Sequence, residues 1–317
     1  MKILVADNLD SAALSELGRV GFQLIAAKGL KASALPEGAN QAEILVVRST
    51  LVPAPAMDLL PALKLIIRAG AGTDTIDVAA ALARGIQVSN CPGKNADAVA
   101  EMALGLLLAA DRRIVEATLA LRRGEWTKGA LGQGLGLKGR TLGIIGLGQV
   151  GSAMARKAKG LEMRVLAYSR TLTPESARAA GVDHIPDLES LARASDAVSV
   201  HVALTPETRS WLGKGFFSAM RDGALFVNTS RGEVVDREAL IEAIRAKGLR
   251  VGLDVFAGEP KVAEALFQDV ELASLATCTP HLAASTDQAA QAVGAEVVRI
   301  ATAFKASGLA PNGVAGP

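Results

Sequence analysis

Three side chains in the second half of the chain combine reactive chemistry with a shared setting. Arg231 lies in Phe226-Val-Asn-Thr-Ser-Arg-Gly-Glu-Val-Val-Asp236, Glu259 in Leu253-Asp-Val-Phe-Ala-Gly-Glu-Pro260, and His281 in Cys278-Thr-Pro-His-Leu-Ala-Ala-Ser285. Each follows a strand-like apolar run, and parallel sheets gather ligands at the carboxyl ends of their strands. Together the three suit hydride transfer to a 2-keto acid. Arginine offers a planar fork to a carboxylate and keeps its charge. Histidine exchanges a proton near neutral pH, as a carbonyl oxygen becoming a hydroxyl requires. A carboxylate beside that histidine fixes its tautomer and favours the imidazolium. A nicotinamide would do the redox work, so the chemistry calls for no metal. Taken singly, each residue has a plainer reading: a surface ion pair, a solvated turn residue, a structural histidine.

The nicotinamide has a candidate seat in Thr141-Leu-Gly-Ile-Ile-Gly-Leu-Gly-Gln-Val-Gly151. The apolar run Leu142 to Ile145 reads as a buried parallel strand. It leads through Gly146, Gly148, Gln149, Val150 and Gly151 into a helical stretch, Ser152 to Lys159. This is the strand-turn-helix setting in which G-x-G-x-x-G binds a dinucleotide. Gly146 permits the tight turn, Gly148 a close approach of the pyrophosphate, and Gly151 close packing of helix on strand. The amides at the helix start then face the phosphates.

The elements that must position these groups follow from the alternation of apolar runs and helical patterns. Candidate strands are Ile3–Ala6, Ile44–Val47, Leu65–Ala69, Leu142–Ile145, Arg164–Tyr168, Ala197–Val202, Leu225–Asn228 and Arg250–Asp254. Helical stretches between them include Ser11–Leu17, Asp58–Leu60, Ala179–Gly181, Leu188–Ala194 and Arg237–Ala246. Such alternation predicts parallel sheets with crossover helices. A dinucleotide fold carries its fingerprint on its first strand, so the residues before it form another α/β unit. The long helical stretches Asn95–Arg123 and Gln288–Phe304 are the expected crossings between the two. The expected division is residues 1–95 plus 285–317 as the substrate domain and 96–284 as the dinucleotide domain. The turn-rich tail from Gly308 onward is expected to be loosely ordered.

Composition narrows the classes. Half of the 317 residues are hydrophobic, enough for sizeable cores, while aromatics make up only 3%, so those cores are aliphatic. A net charge of +2 gives no electrostatic case for nucleic acid or an anionic membrane. The longest apolar stretch, Ala98 to Ala110, contains Glu101 and is too short to span a bilayer. The N-terminus reads as a strand and not a signal peptide. Cys91 and Cys278 lie far apart, and His184, His201 and His281 are the only histidines. No metal spacing results, and a reducing, cytoplasmic setting is expected.

In order and spacing, these segments resemble the D-isomer-specific 2-hydroxyacid dehydrogenases, and among them most the D-3-phosphoglycerate dehydrogenases. The resemblance runs from Val46-Val-Arg-Ser49 and Arg68-Ala-Gly-Ala-Gly72 through Asn90-Cys-Pro-Gly-Lys-Asn95 to the Pro-His turn. It implies an α/β fold of two Rossmann-like domains with parallel sheets, hinged over an active-site cleft, and a homodimer built partly on the helix after Asn95. It implies that Arg231 binds substrate, Glu259 orients the histidine, and His281 is the general acid/base. It places Arg48, Ser49, the loop Gly70, Ala71 and Gly72, and Asn95 at the substrate. Val99 falls near the nicotinamide, and Asp254 matches the residue bonding its amide. His201, Val202 and Thr208 match a loop passing under the cofactor ribose and phosphates. Thr229 and Ser230, ahead of Arg231, join the cofactor contacts.

Two departures bear on substrate and cofactor. NAD enzymes usually carry an acid about 20 positions past the glycines. Here Ser169-Arg170 stands at that strand end, the chemistry expected for NADP, with NAD as the plainer alternative. Many phosphoglycerate dehydrogenases add C-terminal domains that sense serine, and this chain is expected to lack that site. The stretch Arg122-Arg-Gly-Glu-Trp-Thr-Lys128 supplies few cations for a substrate phosphate. The expected activity is therefore that of a dehydrogenase of small D-2-hydroxy acids of the phosphoglycerate type. The nearest alternative is an NADP-preferring glyoxylate/hydroxypyruvate reductase. Formate dehydrogenase pairs its histidine with Gln, which Glu259 argues against. In another class stands a dinucleotide-sensing corepressor-type module, since fold does not fix function.

Overall fold

The computed structural model describes every residue except 28, 32–34, 133, 261–264 and 315–317. Its backbone contacts fall into two compact units, Met1–Asn95 with Ser285–Pro317, and Ala96–Ala284. Unit 1 runs β1 (Lys2–Val5), α1 (Ser11–Arg19), β2 (Gln23–Ala26), β3 (Ile44–Val47), α2 (Ala54–Asp58), β4 (Leu65–Arg68), α3 (Val78–Ala83) and β5 (Gln87–Asn90), and is completed by the C-terminal helix Asp287–Ser307. The strands pair in parallel in the order β2-β1-β3-β4-β5. Strand side chains alternate between two cores, as the period of two requires. Leu4, Leu45, Ile66 and Val88 meet Ala56, Met57 and Ala81 on one face. Ile3, Val5, Ile44, Val46, Leu65 and Ile67 meet Leu17, Val297, Ile300 and Phe304 on the other. Because both faces are covered, β3 reads as an unbroken apolar run and not as an alternating one.

Unit 2 runs α4 (Ala96–Arg112), α5 (Ile114–Arg122), β6 (Thr141–Ile145), α6 (Gln149–Gly160), β7 (Arg164–Tyr168), α7 (Pro174–Ala180), β8 (Asp183–His184), α8 (Leu188–Ala194) and β9 (Ala197–Val200). It continues with α9 (Lys214–Ala219), β10 (Leu225–Asn228), α10 (Arg237–Lys247), β11 (Arg250–Leu253), α11 (Val270–Ser274) and β12 (Thr277–Cys278). All its strands are parallel, in the order β12-β11-β10-β9-β6-β7-β8. The order reverses between β6 and β9, the switch point where doubly wound sheets bind dinucleotides. On one face Leu106, Leu107 and Ala110 of α4 pack with Met154 and Ala158 of α6. On the other, Phe216, Phe217 and Phe226 meet edge to face, with centroids 5.2 to 6.3 Å apart.

The structure departs from the sequence reading in five places. The helix expected at Ala179–Gly181 is the end of Pro174–Ala180, with Gly181 its left-handed cap. The stretch Asn95–Arg123 is two helices, because Arg113 takes a left-handed conformation at φ +48°. The helix expected at Asp58–Leu60 lies earlier, at Ala54–Asp58, where Pro55 suits the first turn. Four strands have weak signals: β2 is an edge strand with mostly exposed residues, β5 carries polar Gln87 and Asn90, and β8 and β12 have two residues each. The tail through Val314 is ordered by partners and not loose. Gln87 Nε2 donates to Gly308 O at 2.7 Å, Ala310 N to Gln87 Oε1 at 2.8 Å, and Val314 N to Val88 O at 2.8 Å. The tail thereby covers the otherwise open edge of β5.

Candidate active site

His281 and Glu259 meet. Glu259 Oε1 lies 2.5 Å from His281 Nδ1. A carboxylate only accepts, so Nδ1 carries the proton in this pair and Nε2 is left for exchange with a ligand. The histidine side chain is 45% exposed, so a ligand can reach that nitrogen. His281 sits at φ +54°, a left-handed conformation that costs a non-glycine residue on the order of 1–3 kcal/mol and is characteristic of functional sites.

Asp254 holds this turn in place. The Asp254 carboxylate, for which the resemblance implies a contact with the nicotinamide amide, also accepts from three protein donors, on a residue with no exposed surface. Thr279 Oγ1 and Leu282 N donate to Oδ1 at 2.5 and 2.7 Å, and Ala283 N donates to Oδ2 at 2.9 Å. His281 N in turn donates to Asp254 O at 2.8 Å. The end of β11 therefore fixes the backbone on both sides of the histidine.

Arg231 leaves the end of β10 on a turn knitted by buried Asn228. Asn228 Oδ1 accepts from Ser230 N at 2.9 Å and Ser230 Oγ at 2.8 Å, and Asn228 Nδ2 donates to Arg231 O at 2.8 Å. The next residue, Gly232, packs against the turn that carries Glu259. A Cβ there would fall 2.0 Å from Phe256 C and 2.1 Å from Ala257 N. Only glycine lets the Arg231 and Glu259 turns approach this closely. The structure thus brings Arg231, Glu259 and His281 to one sheet edge from the ends of β10, β11 and β12.

The fingerprint lies at the switch point of the same sheet. Gly146, at φ +91°, pairs with His201: a Cβ on Gly146 would sit 2.4 Å from His201 O and 2.8 Å from Val202 Cγ1. A Cβ on Gly151 would reach 2.0 Å from Gly146 O, while nothing lies within 4 Å of the same position on Gly148. No side chain caps the start of α6, so its first amides keep their donors for an anion. Two buried polar atoms at neighbouring strand ends, His201 Nδ1 and Thr229 Oγ1, lack partners among the described residues. Burial pushes the His201 imidazole down to about 4, so it is neutral, with Nε2 2.8 Å from Ser199 Oγ. A closely approached backbone, unclaimed helix amides and unpaired buried polar atoms all fit a dinucleotide. Ser169 and exposed Arg170 stand at the end of β7, and Thr208 knits the loop after β9. Val99 is buried on α4.

Unit 1 carries the remaining candidates at its own switch point, between β1 and β3. Here Asp7, which the sequence reading passed over, organises the exposed Arg48 and Ser49. Its Oδ2 accepts from Arg48 N at 2.6 Å and from Ser49 N and Thr50 N at 3.0 Å each. Its Oδ1 accepts the hydroxyls of Ser49 at 3.1 Å and Thr50 at 3.0 Å. Burial pushes the Asp7 carboxyl up, but these donors, Thr50 first, outweigh it and hold it below its usual value. The available signal was an acid placed directly after the first apolar strand. Beyond β4, Asn90 Nδ2 holds Ala71 O at 2.6 Å, fixing the Gly70–Gly72 loop. Asn95 is the last residue before α4. Among the described residues, no group of three His, Cys, Asp or Glu is placed to hold a metal, and no helix is long and apolar enough to cross a membrane.

Comparison with known proteins supplies a family. A model described as D-isomer specific 2-hydroxyacid dehydrogenase, NAD binding domain, matches residues 104–283. A D-3-phosphoglycerate dehydrogenase of Methanocaldococcus jannaschii is 40% identical over 298 residues, 93% of this chain and 55% of that protein. The chain thus spans about half the length of this relative. A glyoxylate reductase of Thermococcus litoralis is 42% identical over 261 residues, 80% of this chain and 77% of that protein. The solved structure of an NADPH-dependent glyoxylate/hydroxypyruvate reductase from Sinorhizobium meliloti, in complex with NADP and malonate, superposes with a TM-score of 0.83 at 30% identity, covering 99% of this chain and 96% of that one.

Proposed function

The chain belongs to the D-isomer specific 2-hydroxyacid dehydrogenase family, and we propose that it transfers a hydride between a nicotinamide dinucleotide and a small D-2-hydroxy acid or its 2-keto counterpart. The observation that carries this reading is the His281–Glu259 contact at 2.5 Å, on the edge that also presents Arg231. When bound, the dinucleotide supplies or takes the hydride. In reduction, His281 Nε2 gives its proton to the carbonyl oxygen as it becomes a hydroxyl; in oxidation Nε2 takes it back. Glu259 keeps Nδ1 protonated throughout, leaving Nε2 to exchange the proton. Arg231 receives the substrate carboxylate in its planar fork. On the resemblance, Arg48, Ser49, Gly70, Ala71, Gly72 and Asn95 are assigned as substrate-binding candidates, with Asp7 positioning the first two.

For the cofactor we assign the pyrophosphate to the amides of Gly148–Gly151 and the adenosine ribose to Ser169 and Arg170. Val99, His201, Val202, Thr208, Thr229 and Ser230 form the remaining contacts. Asp254 is assigned to the nicotinamide amide and also braces the His281 turn. The substrate reading is of the D-3-phosphoglycerate type, supported by the 40% identity over 93% of this chain. A second reading, an NADP-preferring glyoxylate/hydroxypyruvate reductase, is favoured by Ser169-Arg170 in place of an acid. Two copies pair through exposed apolar residues of α5 and the loop after it. Free cysteines fit a reducing, cytoplasmic setting. The deciding experiment is kcat/KM for phosphohydroxypyruvate, hydroxypyruvate and glyoxylate, each with NADH and NADPH. Reduction of at least one supports the reading. Dinucleotide binding without turnover of any keto acid would place the chain with the corepressor-type modules instead.

A further inference from the structure

The C-terminal tail does more than cover the edge of β5. Asn312 takes a left-handed conformation at φ +58°, which asparagine tolerates better than most residues. The turn around it is fixed to β5: Ser89 Oγ donates to Pro311 O at 2.5 Å, and Ser89 bridges Gly313 in antiparallel fashion. From there Asn312 Nδ2 donates to Glu296 Oε1 at 2.7 Å and to Asn90 O at 3.2 Å. Only the amino end of the amide can face a carboxylate and a carbonyl together, so its orientation is set. The same buried Glu296 takes Lys94 Nζ at 3.3 Å, and so grips the segment 90–95 near both ends. Asn90 in turn donates through Nδ2 to Ala71 O at 2.6 Å. One residue on, Cys91 N donates to Gly70 O at 2.9 Å. Two successive carbonyls of the loop 70–72 are therefore held toward residues 90 and 91. In a planar trans peptide the N–H points away from the C=O. The amides of Ala71 and Gly72 are thus turned to the opposite side, and neither has a hydrogen-bond partner among the described residues.

We propose that Asn312 is a positioning residue for the substrate carboxylate, holding the loop 70–72 through Asn90 with the amides of Ala71 and Gly72 turned outward. This deepens the function proposed above and rests on the assignment of that loop to substrate. Amides aimed in advance need no reorganisation when an anion arrives. Without Asn312 the Asn90 carbonyl loses its donor, and Asn90 is less firmly placed to hold Ala71 O. The loop then samples orientations in which its amides are turned away. Losing one hydrogen bond from such a relay corresponds to about a three- to tenfold change in affinity. The proton exchange at His281 Nε2 involves none of these atoms, so turnover at saturating substrate should be spared.

The test measures kcat and KM for the keto acid that the wild type reduces best. It also measures the dissociation constants of NADH and, at saturating NADH, of oxamate, an unreactive mimic of a 2-keto acid. Asn312→Gly keeps the left-handed conformation, and Asn312→Asp keeps the shape but cannot donate. Asn90→Ala and its combination with Asn312→Gly complete the set. Both Asn312 variants should raise KM and the oxamate dissociation constant about three- to tenfold, with kcat and NADH affinity within about twofold of wild type. Asn90→Ala should do at least as much, and Asn312→Gly should add nothing in that background, since both residues act on one loop. If Asn90→Ala weakens oxamate while the Asn312 variants lower only the melting temperature, the tail is structural; the proposal falls and the loop assignment stands. If Asn90→Ala leaves KM and oxamate unaltered, the loop assignment and the proposal fall together. Effects of the two residues that multiply, or a loss of NADH affinity equal to that of oxamate, also overturn the proposal. A wild type that reduces no keto acid overturns the function reading and the proposal with it.

Discussion

At the scale of single residues, the site depends on which atoms remain free. Glu259 occupies His281 Nδ1, leaving Nε2 as the exchanging atom. His281→Ala should therefore lower turnover about 10²–10⁴-fold while dinucleotide affinity stays within a few fold. Loss of cofactor binding in parallel with turnover would make the histidine structural. Arg231→Lys keeps the charge but loses the bidentate fork. It should lower kcat/KM for keto acids by about tenfold or more, with the dinucleotide dissociation constant unchanged, as titration of both ligands would show. These three residues were legible in the sequence because arginine, glutamate and histidine carry distinctive chemistry and followed apolar runs. The residues that hold them were not. Asn228 knits a turn within three residues of itself, while Asp254 meets amides 28 and 29 residues on, which nothing in its own neighbourhood announces.

At the scale of elements, strand ends and their turns decide where those atoms lie. In unit 1 one carboxylate, Asp7, accepts three backbone amides of residues 48–50. Asp7→Asn replaces one accepting oxygen with a donor and turns it toward other donors. Stability should fall by about 1–3 kcal/mol. KM for the keto acid should rise several-fold with kcat little changed; an unaltered KM would mean that the loop carries no substrate contact. A second carboxylate, Glu296, joins the C-terminal helix to the tail and to the loop before α4. Arg299 at 2.5 Å, Asn312 at 2.7 Å and Lys94 at 3.3 Å hold it down to about 2 against burial, from an ordinary 4.5. A lowered carboxyl stabilises the fold fully above its unfolded value and loses that contribution as pH falls through the folded one. The melting-temperature gap between wild type and Glu296→Gln should be largest near neutrality and close between about pH 4.5 and 2. A gap independent of pH would show that charge is not its source. The long buried strands were readable as apolar runs, as was the fingerprint turn. The tail was not, because its order comes from the open edge of β5, a feature of topology and not of its own Gly- and Pro-rich composition.

At the scale of the whole molecule, the surface carries one feature that the hydrophobic cores leave unexplained. Arg113, in a left-handed conformation, ends α4 and turns the chain into α5, whose one buried residue is Ala120. Ile114, Val115, Leu119 and Leu121 are all exposed on it; Trp126, in the loop beyond, is 81% exposed and Leu135 is exposed as well. Scattered apolar residues are ordinary on a surface, but six within 22 residues form a concentration of the kind that marks an interface. The net charge of +2 leaves little long-range repulsion between copies. A pairing through this face would bury Trp126, a residue type that dominates interface energetics when desolvated. The expected result is a dimeric mass by light scattering for the wild type. Leu119→Glu combined with Trp126→Ala should weaken association about a hundredfold or more, since each truncated anchor costs about 2 kcal/mol and the buried charge adds to it. Both substitutions lie outside the cores, so the melting temperature measured at concentrations where both proteins are monomeric should change little. A wild type that is monomeric at every accessible concentration, or a double variant that dimerises as tightly, would remove this face from the assembly.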